Sequence, residues 1–269
     1  MSAPETNAPA PVRADPVPAK PANKAANGAS GGKGGSNSAA PGATPDPSRV
    51  VHGWTPRPSC RVRSISGGHV SVVPFDAGLH ARQLWEALGG AKAAERIRYF
   101  GWGPIATADE LAAKIDAHAS QEGWSTAAFL SGGRVVGMAS YMREDAASGS
   151  VEIGAIAHGE VIARTPAATE AQWLLMRHAF ELGYRRYEWK CDAANAASVS
   201  AAQRLGFTHE GTFRQHMVRG GRNRDTAWFS ILDTEWPRVD AALRAWLNPS
   251  NFAPDGSQRR SLSTIRASA

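Results

Sequence analysis

Four stretches between residues 151 and 211 decide the fold of this chain: VEIGAIAH at 151–158, RTPAATEA at 164–171, RYEWKCD at 186–192, and NAASVSAAQRLGFTHEG at 195–211. They predict a strand, a turn that opens a helix, a second strand, and an Asn-led helix that stops at Leu-Gly-Phe. A helix N-terminus that follows a strand can bind a phosphate. This order therefore suits a phosphate-bearing ligand at the turn, with an acyl group held between the two strands.

The rest of the folded part predicts hairpins on both sides of this segment. Predicted strands lie at 70–74, 125–130, 134–143, 208–218 and 224–232, and predicted helices at 77–88, 93–99, 108 onward, 166–182 and 240–246. The combination predicts an α/β domain with a mixed, mostly antiparallel sheet of about seven strands flanked by helices. The crossover between the two central strands should be right-handed.

The ends of the chain differ in composition from its middle. The first 49 residues are rich in Ala, Pro and Gly and contain no Phe, Trp or Tyr, so they cannot bury enough apolar surface to fold. We expect a disordered tail over 1–60, a folded domain over 61–247, and a flexible tail over 248–269.

Charge and hydropathy exclude several classes of protein. The net charge is +6, but two thirds of the surplus lies in the predicted tails, so we expect no specific nucleic-acid surface on the domain. No stretch is long and apolar enough for a membrane span or a secretory signal. The cysteines, Cys60 and Cys191, lack the spacing of a metal site or of a disulfide framework. We expect no metal, no membrane contact and a cytoplasmic location.

The turn before the helix at 166–182 has the features of an anion site. Its first N–H groups are unpaired and carry partial positive charge, and small side chains would let a phosphate approach the backbone. The candidate contacts at this turn are Arg164, Thr165, Ala167, Ala168 and Thr169. Thr165 could be the N-cap of this helix. The alternative is an ordinary strand-to-helix turn with a solvated Arg164.

Three motifs in fixed order carry a family resemblance. They are ATEA at 168–171, NAAS at 195–198 and RLGFTHEG at 204–211, followed by Arg214, Gly221 and Asp225. Together they resemble the GNAT superfamily of acyl-CoA-dependent N-acyltransferases, and within it the branch of ribosomal-protein and related N-terminal acetyltransferases. The resemblance covers roughly residues 70–236.

The resemblance implies a GNAT-type sheet that splays between the strands at 151–158 and 186–192. It implies acetyl-CoA as co-substrate, with its pantetheine arm beside Ile156 and His158, its pyrophosphate on the turn, and Asn195 bound to the arm. A backbone N–H near 156–158 would stabilise the oxyanion. Two positions depart from the family pattern: Pro166 replaces a glycine of the turn, and Ala202 replaces a tyrosine that protonates the thiolate. In the ribosomal-protein branch that role falls to a serine, which corresponds to Ser198.

Glu152 is the candidate base. By the two-residue period of a strand it shares a face with Gly154, Ile156 and His158, and partial burial would raise its pKa toward the range of a base. A surface or paired Glu is the alternative, and His158 or a water is the alternative base. Glu170 is predicted to have a structural role, because an acidic side chain near the start of a helix interacts favourably with the helix dipole.

The acceptor is less well defined by the residues. The hairpin at 219–226 is dense in charge, with Arg219, Arg222, Arg224 and Asp225. Asp225 could hold an amine, and Tyr141 could border the acceptor pocket. The alternative is a turn whose charges are solvated or paired locally.

These observations predict an enzyme that moves an acetyl group from acetyl-CoA directly to a primary amine, of a protein N-terminus or of a small molecule. The alternative is a non-catalytic acyl-CoA-binding regulatory module. We expect a monomer or a homodimer.

Overall fold

The sheet is the frame of the molecule. The computed structural model describes residues 50–268, and its strands are β1 (Ile65–Ser66), β2 (Ser71–Pro74), β3 (Ser125–Ser131), β4 (Arg134–Asp145), β5 (Ser150–His158), β6 (Arg186–Asp192), β7 (Thr208–Arg219) and β8 (Arg222–Leu232). They form one sheet in the order β1-β2-β3-β4-β5-β6-β8-β7. Only β5 and β6 run parallel. The predicted mixed, mostly antiparallel sheet is confirmed, with the two-residue β1 as an eighth strand.

Helices cover both faces of the sheet. They are α1 (Ala77–Ala87), α2 (Ala93–Arg96), α3 (Ala108–Glu122), α4 (Pro166–Glu181), α5 (Ala196–Leu205), α6 (Trp236–Leu247) and α7 (Leu262–Ala267). Ala128 packs with α1 and α3, whereas its neighbours Ala127 and Phe129 pack with α4 and α6. Because adjacent strand residues point to opposite faces, the sheet separates two hydrophobic clusters.

The crossover helix α4 is buried nearly all round, as predicted. Its buried side chains include Ala171, Leu174, Leu175 and Met176. The helix ends where Gly183 adopts a φ of 83°, a backbone conformation that glycine adopts without strain. Such a helix is held by packing on all sides, so it sets the distance between β5 and β6.

The two parallel strands diverge after a short ladder. Their pairing runs from Ser150 opposite Arg186 to Ile153 opposite Trp189 and then stops. Beyond that point β6 continues to pair with β8 as far as Asp192. The second half of β5 therefore has no β6 neighbour, and a gap opens between the two strands.

A bulge in β5 overturns one prediction from the two-residue period. Ala155 has a φ of 45°, and the register with β4 shifts between Met138 and Ser140. Past the bulge, Ala157 packs into the cluster under α1 and α3, whereas Ile156 packs against the cluster under α4. The extra residue reverses the alternation, so Ile156 does not share the strand face of Glu152.

The C-terminal segment is ordered, contrary to the flexible tail expected over 248–269. Leu262 and Ile265 of α7 are buried in the main core. Arg266 donates from Nη1 to the Arg204 carbonyl at 2.8 Å and from Nη2 to the Gln203 carbonyl at 3.1 Å. Isolated apolar residues and one arginine gave too weak a periodic signal to predict this packing.

The N-terminal boundary of the folded domain also differs from the predicted residue 61. Of the tail predicted over residues 1–60, residues 1–49 lie outside the described residues. Within 53–60, however, Cys60 is buried and the Pro58 carbonyl accepts a hydrogen bond from Tyr184 Oη at 3.0 Å. Across residues 50–268, no helix is long and apolar enough to cross a membrane.

Glu170 ties the N-terminal part of α4 to the loop between β1 and β2 at the edge of the sheet. Its carboxylate accepts backbone N–H groups from Gly68 at 2.8 Å, His69 at 2.6 Å and Val70 at 2.9 Å. The side chain is buried, so these three donors replace its water. The structural role predicted for Glu170 agrees with this geometry, but its partners are loop amides, since Glu170 lies beyond the first turn of α4.

We expect Glu170→Gln to lower the free energy of unfolding by about 2 kcal/mol, since an amide cannot accept all three N–H groups as a carboxylate does. Urea unfolding at neutral pH measures this. The matched control is Glu181→Gln, on the same helix but mostly exposed, for which we expect a change within about 0.5 kcal/mol. Equal effects of the two substitutions would contradict the anchoring role.

Candidate active site

A cavity of about 410 Å³ lies where β5 and β6 diverge. Its walls come from the two strands, the first turns of α5, the loop after α2, and the β7–β8 hairpin. Glu152, Ile156, His158, Asn195 and Ser198 all line it. The gap therefore gathers residues that the sequence places up to 46 positions apart.

Glu152 lies at the base of this cavity and is only 2% exposed. Its Oε2 is 3.5 Å from Arg143 Nε and 3.6 Å from Lys190 Nζ, and it makes no hydrogen bond within the described residues. Burial raises the pKa of Glu152 to about 7, although Lys190 and Arg143 both favour the carboxylate. The group thus changes charge near neutrality, which suits proton transfer.

Two buried cations stand beside Glu152. The Lys190 side chain is 8% exposed and its Nζ lies 5.2 Å from the Trp228 ring centroid. The Arg224 side chain is 7% exposed, and its Nε is 3.9 Å from Asp192 Oδ2. Burial lowers the pKa of both groups, so the cavity holds positive charge in a poorly hydrated setting.

Ser198 and Asn195 open α5 at the cavity wall. Asn195 is the N-cap, and its Oδ1 accepts the Ser198 N–H at 3.2 Å. That hydrogen bond leaves the Asn195 amide NH₂ available as a donor. Ser198 Oγ accepts from Trp189 Nε1 at 3.0 Å, which leaves the serine hydroxyl proton available to a ligand.

His158 lines the cavity as a neutral imidazole. Burial lowers its pKa to about 4, and its Nε2 has no hydrogen-bond partner within the described residues. Its ring lies 6.0 Å from that of Phe129. A neutral, apolar-packed imidazole is a weaker base near pH 7 than a carboxylate with a pKa of about 7.

The turn before α4 presents its N–H groups without a side-chain cap. Thr165 occupies the N-cap position, but its Oγ1 donates to the Ile162 carbonyl at 2.8 Å. The side chains of Ala167, Ala168 and Thr169 are buried. Arg164 is exposed and has a φ of 65°. The turn does not line the cavity. Because the turn follows the end of β5, a ligand that reaches both the cavity and the turn would have to extend along β5.

Tyr141, predicted to border the acceptor pocket, does not line the cavity. It is 2% exposed, and its hydroxyl donates to the Leu175 carbonyl at 2.6 Å. It packs in the cluster under α4, on the sheet face away from Glu152. The sequence predicted its strand but not which way the side chain faces.

Asp225 is also held away from the cavity. Its Oδ1 accepts from the Gln215 N–H at 2.7 Å and from Asn223 Nδ2 at 2.8 Å, and these contacts keep its pKa below the ordinary value. The carboxylate stabilises the bulged hairpin. Its neighbour Arg224 lines the cavity instead, since adjacent residues of a strand face opposite ways.

Arg143 and Lys190 were not singled out from the sequence, and Arg224 was named only as one charge of the hairpin at 219–226. A lysine inside a strand that is otherwise largely apolar is one signal that could have identified Lys190. Its pairing with Glu152 depends on the parallel register of β5 and β6, which the chain order does not reveal. Between residues 50 and 268, no group of three or more His, Cys, Asp or Glu side chains could hold a metal.

Comparison with known proteins gives a consistent result. Residues 73–208 match the model of the acetyltransferase (GNAT) domain. No curated protein matches. A GCN5-related N-acetyltransferase from Brucella melitensis is 44% identical, covers 80% of this chain and 99% of its own, and superposes with a TM-score of 0.75. A probable GNAT-family acetyltransferase from Chromobacterium violaceum is 36% identical, with coverages of 73% and 98% and a TM-score of 0.65.

The ribosomal-protein branch is represented by a more distant structure. An acetyltransferase from Salmonella typhimurium that modifies the N-terminal serine of ribosomal protein L7/L12 is 19% identical, covers 62% of this chain and 96% of its own, and has a TM-score of 0.53. At that identity the likeness is one of fold alone.

The charge environment of Glu152 leads to a titration prediction. We expect Lys190→Met to raise the pKa of Glu152 above about 7, because it removes a cation 3.6 Å from the carboxylate. The ¹³C chemical shift of the labelled Glu152 carboxyl, assigned with Glu152→Gln, measures this.

Arg222→Met is the matched control, since Arg222 is an exposed cation of the β7–β8 hairpin and does not line the cavity. It should leave the titration unchanged. An unchanged Glu152 pKa in Lys190→Met would show that the lysine does not act on this carboxyl.

Proposed function

The chain belongs to the GNAT acetyltransferase family, and from that premise we propose that it transfers the acetyl group of acetyl-CoA directly to a primary amine, of a protein N-terminus or of a small molecule. The observation that carries this proposal is the position of Glu152. It is a buried carboxyl with a pKa of about 7, and it faces the gap between β5 and β6 together with Ser198 and Asn195.

Acetyl-CoA fits the gap by its chemistry. Its pantetheine arm carries amide groups, which can pair with the backbone of β5 beyond Ile153, where β6 no longer pairs. The Asn195 amide NH₂ is a donor for the same arm. The pyrophosphate would accept from the uncapped N–H groups at the start of α4, with Arg164 at the rim. Pro166 supplies no N–H donor to this site.

The transfer needs three proton or charge events. Glu152 accepts a proton from the ammonium form of the acceptor, directly or through water, so that the amine nitrogen can attack the thioester carbonyl. A backbone N–H near Ile156 or His158 stabilises the oxyanion of the tetrahedral intermediate. As the carbon–sulfur bond breaks, Ser198 donates or relays a proton to the departing CoA thiolate.

We assign the acyl-transfer unit to residues 53–268, because the C-terminal α7 packs into the same core. The cytoplasm remains the proposed compartment, since both described cysteines are free thiols. An N-terminal acceptor, as in the ribosomal-protein branch, is one of the two acceptor types to be tested.

The direct test is release of CoA thiol from acetyl-CoA with a panel of amines: N-terminal peptides, amino acids, polyamines and aminoglycosides. We expect thiol release with at least one acceptor. Tight binding of acetyl-CoA without turnover on any acceptor would favour the non-catalytic acyl-CoA-binding module.

We expect Glu152→Gln to lower kcat/KM for the acceptor by about 10²- to 10⁴-fold, the range of general base catalysis, with acetyl-CoA binding unchanged. The wild-type kcat/KM should rise with pH through about 7 as Glu152 loses its proton, and the variant should lose this limb. Glu160→Gln, at an exposed surface position, is the control. A variant that keeps both its rate and the limb near pH 7 would exclude Glu152 as the base.

Ser198→Ala should lower kcat by about 10²-fold, the lower end of general acid catalysis, and weaken acetyl-CoA binding much less. Ser200→Ala, on the same helix but exposed, should change neither quantity. Steady-state kinetics and calorimetric titration of acetyl-CoA separate the two effects. Equal losses of turnover and of binding would remove the proton-donor role.

A further inference from the structure

The cavity wall carries more positive than negative charge. Its six cations are Arg96, Arg98, Arg143, Lys190, Arg219 and Arg224, and its three carboxylates are Glu122, Glu152 and Asp192. Four of the cations lie on the strands β4, β6, β7 and β8: Arg143, Lys190, Arg219 and Arg224. Low-dielectric walls of one sign concentrate a field that attracts ligands of the opposite sign.

Two of these cations are buried with unused donors. Lys190 Nζ and Arg224 Nε have no hydrogen-bond partner within residues 50–268, although both side chains are over nine-tenths buried. The carboxylate nearest to Arg224 is at 3.9 Å, beyond hydrogen-bond distance. Another nitrogen of Arg224, Nη1, donates to Met217 Sδ at 3.0 Å. Because a buried N–H donor without a hydrogen-bond acceptor is costly, the unused donors that line the cavity point to a ligand that accepts from them.

Arg219 adds positive charge at the mouth of the same cavity. Its Nη1 donates to the Tyr99 carbonyl at 2.8 Å, which joins the β7–β8 hairpin to the loop after α2. No carboxylate lies within ion-pair distance of Arg219 in the described part of the chain. Burial is the main cause that lowers the pKa of Arg224 and of Lys190, and repulsion adds to it: Arg219 acts on Arg224, and Arg143 and Arg224 act on Lys190. Asp192 and Glu152 offset part of these effects.

Resting on the proposed function, we infer that the acceptor carries an oxyanion, a carboxylate or a phosphate, a few bonds from its reactive amine. The amine faces Glu152, and the oxyanion accepts hydrogen bonds from Lys190 and Arg224. Charge-assisted hydrogen bonds of this kind are among the strongest in proteins. Polyamines and aminoglycosides, which are polycations, are poor acceptors because the same cations repel them.

Matched acceptors that differ in one charge test this inference. The pairs are 2-aminoethyl phosphate and ethanolamine, β-alanine and β-alaninamide, and the peptide amides Ser-Asp-Ala and Ser-Asn-Ala, with spermidine as the polycation. Thiol release is measured over a range of pH, so that differences in amine ionisation are accounted for. We expect kcat/KM to be about 10- to 100-fold higher for the anionic member of the preferred pair. The pair with the largest ratio tells whether the oxyanion belongs to a phosphate, a small carboxylate or an acidic peptide.

The variant that tests the residue is Arg224→Gln, with Arg222→Gln as control on the same hairpin. Arg224→Gln should raise the KM of the anionic acceptor by about 10- to 100-fold, and leave the KM of its neutral partner and of acetyl-CoA unchanged. Arg222→Gln should change none of these. If thermal unfolding shows that Arg224→Gln is misfolded, Arg219→Gln at the cavity mouth replaces it, with the same direction of change expected.

Three results would overturn the inference while leaving acetyl transfer intact: equal kcat/KM within every pair, a preference for spermidine, or a rise in the KM of acetyl-CoA rather than of the acceptor. The last result would assign these cations to the CoA phosphates. If no amine yields thiol, the proposed function fails by itself. Calorimetric titration of the same pairs into the acetyl-CoA-loaded protein then decides the inference. Binding of an anionic member but not of its neutral partner, with that binding lost in Arg224→Gln, supports the inference. Equal binding of anionic and neutral members overturns the inference.

Discussion

The short parallel ladder between β5 and β6 is the constraint on which the rest of the site depends. Pairing stops at Ile153 opposite Trp189, and the bulge at Ala155 follows in the part of β5 that β6 no longer pairs. Backbone groups past that point have no partner on the β6 side, which is uncommon inside a sheet. The buried helix α4 and the β6–β8 ladder hold the two strands apart, so the gap is a fixed feature of the fold.

Burial and charge have opposing effects on Glu152. Its low exposure raises the pKa to about 7, while Lys190 and Arg143 keep the carboxylate form accessible. A carboxyl whose folded pKa is raised favours the protonated form, so its contribution to stability is greatest at low pH and is lost as pH rises toward 7. The charged form of Glu152 therefore lowers the stability of the fold near neutral pH, while the same carboxyl can exchange a proton at that pH. This combination is typical of active sites.

Much of the fold was predictable because it depends on local signals. The predicted Asn-led helix begins at Asn195, whose side chain accepts the N–H of Ser198, and hairpins lie on both sides of the central segment as predicted. The two-residue β1 and the C-terminal α7 were not predicted, because a few apolar residues at either end carry little periodic signal. Tyr141 and Asp225 were assigned to the acceptor site, yet the structure turns both away from the cavity.

The sequence by itself determined the order of elements, the family resemblance, and the residues Glu152, Asn195 and Ser198 that share one cavity. These follow from local propensity and from motifs within a single segment. Only the tertiary structure decided which face each side chain takes beyond Ala155, and which cations meet Glu152. The reason is physical: one bulge reverses the alternation of a strand, and the contact of Lys190 and Arg224 with the site depends on the register of three strands. No local pattern records that register, because it is set by packing across the whole sheet.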